Sequence, residues 1–234
     1  NDEWWGRGFT EWRNVVRARP LARWHQQPHI PADLGFTDLR VPETRAAQAE
    51  LARAHGIHGF VYHHYWFMGR RLLERPVDEI LASGEPDFPF ALSWANEHWS
   101  RTWDGTPNQV LIAQEYSPED DLAHIRHLIP YFADDRYIKV DGRPLFVLYG
   151  ASRLPEPRRT ADTWRAEVAR AGLGDLYLCR WEHDGHGDPA ALGLDAAIDF
   201  QPDYPQLGPA MRRSIPERVL RRFHLSPQVY RWHR

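Results

Sequence analysis

Cysteine is almost absent from the chain: Cys179 is the only one in 234 residues. No internal disulfide can form, which fits a reducing compartment, and the expected location is the cytoplasm. The sequence opens at Asn1 rather than at a methionine, so the lack of a signal peptide here says nothing about one upstream. An excess of either charge is also missing. A net charge of −3 and a pI near 6.5 leave no basic footprint, which argues against a nucleic-acid partner. No Lys/Arg cluster flanks an apolar helix, so docking on an anionic membrane has no support. No apolar run is long enough for a membrane span. The sequence also has no P-loop, no Gly-x-Ser-x-Gly elbow and no zinc-protease helix. No cofactor is implied.

Tryptophan, by contrast, is abundant, with eleven in the chain. Core packing rarely needs so many, because each buried indole N–H wants a partner. Many stand beside Asn, Asp, Glu or His rather than inside apolar runs. A sugar-binding cleft uses such neighbours: the pyranose face stacks on the ring and the hydroxyls bond to the polar groups. The competing reading is a tryptophan-rich core.

Along the chain, strand and helix alternate without internal repeats. Residues 1–42 read as a long loop broken by Gly and Pro. A loop of that length is usually functional or disordered, and its aromatics argue against disorder. A helix is expected from Pro42 to about His55, stopped by Gly56. Apolar strands are expected at 57–66, 88–94, 144–149, 176–181 and 196–200. Between them come helices at 77–83, 117–132 and 160–171. Ser117-Pro118-Glu119-Asp120 is a strong helix start, with an N-cap serine, proline at N1 and acids in the first turn. Glu217, Arg218, Arg221 and Arg222 are expected on a solvated helix face near the end.

Strands that are apolar throughout and alternate with helices imply parallel strands covered by helices. A nucleotide-binding open sheet would show a Gly-rich turn after its first strand, and none is present. Residues able to do chemistry instead follow several different strands, as in a (β/α)8 TIM-type barrel. The expectation is one domain over 1–234. Five strands are visible where eight are needed, so it reads as an incomplete barrel lacking its first strand and its last ones.

The leading site candidate is Asn96-Glu97-His98-Trp99, directly after a strand whose last residue, Trp94, is also taken as substrate-binding. Glu97 should project from the barrel mouth. A carboxylate beside an indole could act as a general acid or accept hydrogen bonds from sugar hydroxyls; the structural alternative is a pair with Arg101. In Tyr62-His63-His64-Tyr65-Trp66, alternation sends Tyr62, His64 and Trp66 to one side and His63 and Tyr65 to the other. Sequence does not say which set faces the axis, and the first is taken as substrate-binding. Trp4, Trp5, Glu11 and Trp12 lie among glycines that let a backbone approach a ligand. Trp103 with Asp104 offers a stacking platform and a hydroxyl acceptor, and Trp181 ends the fourth strand. The structural alternative for the two loop segments is aromatic pinning. Residues 182–188 carry metal-ligand types without any established spacing, and Pro28 separates His25 from His29, so no metal site is assigned.

Several segments together carry a family resemblance: 1–12, then Gln27-Pro28-His29, the run from Tyr62 to Phe67, Trp94-Ala95-Asn96-Glu97-His98-Trp99, and 137–144. In this order they resemble the WbsX-type family, which is labelled glycosyltransferase and tied to bacterial O-antigen and capsule loci. That family is similar in turn to the glycoside hydrolase family 99 endo-α-mannosidases, which are (β/α)8 barrels. The resemblance implies an oligo- or polysaccharide partner and chemistry on glycosidic bonds. The family also has a late Asn-Glu-Trp-x-Glu-Gly motif, whose two glutamates resemble the catalytic pair of family 99. No such motif occurs between Asn1 and Arg234, so the resemblance implies that the pair lies beyond Arg234. Catalytic residues are therefore unassigned within the chain, with Glu97 the best candidate present, and the chain by itself is expected not to turn over substrate. Three functions follow as expectations. They are a hydrolase of a bacterial surface polysaccharide, a sugar-nucleotide-dependent transferase and a non-catalytic glycan-binding module. Neither a diphosphate cradle nor an Asp-x-Asp is present, which favours hydrolase over transferase.

Overall fold

The computed structural model describes residues 2–10, 12–20, 23, 29–101, 106–182 and 187–200. Glu11, His25, Trp103, Asp104 and 183–186 lie outside the described residues. So does everything after 200, which takes in the helix expected around Glu217, Arg218, Arg221 and Arg222 and runs to Arg234.

The opening segment contains two short helices, α1 (Asp2–Trp5) and α2 (Trp12–Arg17), where the composition predicts loop. Helix α3 (Pro42–Ala54) has Pro42 at its start and Glu43 in its first turn. It leads to strand β1 (Phe60–Phe67) and a short return strand, β2 (Arg70–Leu72). Helix α4 (Arg75–Ser83) ends at Gly84, whose φ of 76° is a left-handed cap that suits glycine. Strand β3 (Phe90–Trp94) is followed by a hairpin of β4 (Trp99–Arg101) and β5 (Thr106–Ile112). Helix α5 (Pro118–Phe132) starts as its sequence predicts: the Asp120 N–H donates to Ser117 Oγ at 3.1 Å. Then come β6 (Lys139–Val140), β7 (Arg143–Leu148), α6 (Pro157–Arg170), β8 (Tyr177–Glu182) and β9 (Ala196–Asp199).

Strands β1, β3, β7, β8 and β9 pair in parallel, in that order. Strand β2 adds antiparallel to β1, and β6 to β7. Alternate strand residues bury themselves against the helices. Phe90, Leu92 and Trp94 from β3, Phe146 and Leu148 from β7, and Leu178 from β8 form one core with Val77 and Ile80 of α4, Ile125 and Leu128 of α5, and Trp164 and Val168 of α6. Each such side chain stabilises by about 1.5–3 kcal/mol when fully buried. The three crossover helices therefore lie on one side of the sheet.

On the other side the sheet curls. Trp181 of β8 reaches past β7 to β3, where its Nε1 donates to Ser93 Oγ at 2.9 Å. This is a curved wall of parallel strands with helices outside, as expected of the strand–helix alternation, but no closed barrel is seen among the described residues, so the incomplete (β/α)8 barrel is matched only in its parallel, helix-covered strands. Among the described residues β1 and β9 are the two ends of the parallel set and do not pair with each other. Alternation of strand and helix specifies parallel crossovers, but not whether the first and last strands meet.

Candidate functional site

The concave side, opposite the three crossover helices, carries the rings at its strand ends. Trp99 and Tyr65 meet edge to face at 5.1 Å, and Tyr65 lies 6.2 Å from His63. His63 is 6.2 Å from Tyr149, just past β7. Tyr149 meets Phe200 at 6.1 Å, and Phe200 meets Trp181 at 5.9 Å. Six rings thus form an arc across the C-terminal ends of all five parallel strands. Trp99 Nε1 is buried and has no hydrogen-bond partner among the described residues, an omission that costs about 1–3 kcal/mol unless a ligand or water meets it. The His63 pKa is lowered by burial, which favours the neutral imidazole at pH 7.

Alternation left two faces of β1 open, and the structure chooses between them. His63 and Tyr65 face the concave side. Tyr62, His64 and Trp66, taken as binders from the sequence, face the helices. His64 is buried and its Nε2 shares a hydrogen bond with His124 Nε2 of α5 at 3.0 Å. Trp66 is buried, stacks on His124 at 4.9 Å and donates its Nε1 to Asp120 Oδ1 at 2.9 Å. Tyr62 packs against the main core beside Phe90. Trp94 is fully buried against His124 and Trp164. His64, Trp66 and Trp94 hold the sheet to its helices and are not open to a ligand, and the partly buried Tyr62 faces the same side. The reason is steric: an indole or imidazole on the convex side has a helix over it.

Asn96 is also corrected. It is 0 % exposed, accepts from the Gly150 N–H at 2.7 Å and donates to the Gly150 carbonyl at 2.8 Å. Its amide is spent on joining the ends of β3 and β7. Tyr116 adds to this joint by donating to the Asn96 carbonyl at 3.0 Å. Glu97, the next residue, projects outward and remains 41 % exposed. Its partner is Arg153, not Arg101: Arg153 Nη2 meets Glu97 Oε1 at 2.5 Å. Glu97 is thus an exposed, cation-paired hydrogen-bond acceptor rather than an acid enclosed by apolar walls.

Trp4 and Trp5 are half-buried and pinned at this rim. Arg101 Nη2 donates to the Trp4 carbonyl at 3.1 Å and its guanidinium lies over the Trp5 ring. Arg70 lies over Trp4 and pairs with Glu3 at 2.8 Å. Arg70 and Arg101 follow the ends of β1 and β3, so they bring α1 to the strand-end side. Trp12 donates instead to the Thr37 carbonyl at 2.9 Å and packs on Phe36, within the opening segment. No group of three or more His, Cys, Asp or Glu able to hold a metal occurs among the described residues. Nor does any helix among them have the length and apolarity to cross a membrane.

Sequence reasoning missed Tyr149, Phe200 and Arg153. Tyr149 ends an apolar run and reads as core, whereas Arg153 reads as ordinary surface charge. A signal for Tyr149 did exist, because it sits one residue past β7 at the mouth.

Known proteins bear on the family and the fold. The chain is 46 % identical over 203 residues to uncharacterized protein WxcX of two strains of Xanthomonas campestris pv. campestris, B100 and ATCC 33913. That match takes in 87 % of this chain but only 29 % of each relative. The fold is similar to that of a solved glycoside hydrolase-like protein, with a TM-score of 0.52 at 15 % identity. It covers 78 % of this chain and 56 % of that one, and likeness at this identity shows the fold alone. The sequence profile described as glycosyltransferase WbsX matches residues 1–230, so the chain belongs to the WbsX family.

Proposed function

We propose that the concave strand-end face binds a bacterial surface polysaccharide, and that the protein it serves cleaves glycosidic bonds by glycoside hydrolase chemistry. The observation that carries this reading is the arc from Trp99 to Trp181 with Glu97 beside it. Sugars present apolar faces and hydroxyls together, and this rim offers ring faces and edges together with a charged acceptor. Glu97, held by Arg153, accepts a hydroxyl hydrogen bond. Hydrolysis needs a second carboxylate about 5–9.5 Å from the first, depending on stereochemistry. The glutamate pair that the family resemblance supplies is not in this sequence. Substrate binding is therefore the part of the reaction assigned to these residues. Trp4, Trp5, Trp99, Trp181 and Glu97 remain the proposed binding set, now joined by His63, Tyr65 and Tyr149.

A sugar-nucleotide transferase is the second reading, favoured by the family's label. The two separate on one experiment. A protein spanning the length of the WxcX relatives is incubated with O-polysaccharide and no activated donor. Release of reducing ends supports hydrolysis. Product that forms only when a nucleotide sugar is added refutes it in favour of transfer. Binding without turnover in either case leaves a glycan-binding module.

A further inference from the structure

Glu97 owes its position to a residue that touches neither the carboxylate nor a ligand. Gly150 follows Tyr149 at the end of β7, and its φ of −122° is open to any amino acid. Backbone freedom therefore does not explain a glycine here, but space does. A Cβ built at Gly150 would stand 2.7 Å from both Cδ and Nε of Arg153. The Arg153 side chain lies across the bare glycine, and its Nη2 reaches Glu97 from there. Beneath it, the fully buried Asn96 fixes Gly150 through its N–H and its carbonyl. Asn96 precedes Glu97 in the chain, so the two ends of the ion pair are joined twice: once through Arg153 and once through the Asn96 amide.

We propose that Gly150 and Arg153 are positioning residues. Gly150 provides the seat for the Arg153 side chain, and Arg153 holds the Glu97 carboxylate by Oε1 while presenting it to a sugar hydroxyl. This assignment rests on the glycan-binding reading for its ligand, but the seat itself does not. Adding a methyl at 150 displaces a flexible side chain rather than backbone, so Gly150→Ala keeps the fold while dislodging Arg153.

The test uses the full chain and O-polysaccharide from Xanthomonas campestris, the organism of the relatives. Gly150→Ala is expected to keep the wild-type unfolding temperature and to lose glycan affinity roughly ten- to hundredfold, the scale of one charge-assisted hydrogen bond. Arg153→Ala should show the same loss, the double variant should be no worse than Arg153→Ala, and Arg153→Lys should recover part of it. Wild-type affinity in Gly150→Ala, or additive losses in the double variant, overturns the proposal. If Gly150→Ala fails to fold, the seat is structural and the proposal fails for Gly150. Wild-type affinity in Arg153→Ala, whose side chain is 43 % exposed, overturns it for Arg153. A crystal structure of Gly150→Ala decides the seat without any glycan: Arg153 still paired with Glu97 refutes it. If wild-type protein binds no polysaccharide, the glycan reading fails, while that crystallographic result still stands or falls by itself.

Discussion

At the scale of single residues, neighbours in one motif have opposite fates. Asn96 is sealed and Glu97 is open, though one peptide bond separates them. Replacing Asn96 by Ala leaves the Gly150 N–H and carbonyl without their partner. At about 1–3 kcal/mol for each lost buried bond, stability should fall by roughly 2–6 kcal/mol, read by urea denaturation. Glu97→Gln keeps the shape, and the side chain is half exposed, so the unfolding midpoint should hardly move. Glycan affinity should drop instead. A large loss of stability in Glu97→Gln would make that carboxylate structural. Sequence adjacency could not separate these roles, because both depend on Gly150 and Arg153, more than fifty residues away.

At the scale of elements, α5 is the hinge between a legible start and an illegible interior. Its N-terminus was readable from Ser117-Pro118-Glu119-Asp120, and Ser117→Ala should cost about 1 kcal/mol through the lost cap, measured as a lower unfolding midpoint. Its buried face presents His124 to His64 of β1. Burial lowers the His64 pKa to about 3, helped by His127 and Arg71 charge, and it lowers that of His124 well below the usual histidine value. Both are therefore neutral in the folded state and protonate more readily when unfolded. Their contribution to stability is complete above the unfolded pKa near 6.5 and is lost as pH falls below it. Each adds a slope of about 1.4 kcal/mol per pH unit in that window. Thermal melts from pH 7 to pH 4 should show this decline, and His124→Phe should flatten it. An unchanged slope in the variant would show that other groups dominate acid unfolding. Nearby, the Asp78 pKa is lowered as well, but there it is the charged form that is favoured. Burial raises its pKa, but hydrogen bonds from Arg71 and Tyr131 outweigh that and hold it below the ordinary aspartate value.

At the scale of the whole molecule, the arc from Trp99 to Trp181 exists only because five strands curl together. Its rings come from segments as distant as His63 and Phe200. Trp181→Ala should weaken glycan binding about tenfold, since stacking and desolvation of one indole are worth on the order of 1–2 kcal/mol. Trp181→Phe should retain most of it. Tryptophan fluorescence followed during polysaccharide addition provides the readout, and wild-type affinity in Trp181→Ala would exclude Trp181 from the binding surface. The sequence by itself determined the order of the five parallel strands and of helices α3 to α6, the parallel pairing and the family, because apolar runs, caps and glycine stops are local signals, whereas α1, α2 and the short strands β2, β4, β5 and β6 carry no such signal. It also located the motifs that end up at the strand ends. Only the tertiary structure decided which face of β1 is concave, that Trp94 and Asn96 are sealed, and that Arg153 rather than Arg101 meets Glu97. Period-two alternation is symmetric between the two faces of a strand, and nothing short of the packed helices breaks that symmetry.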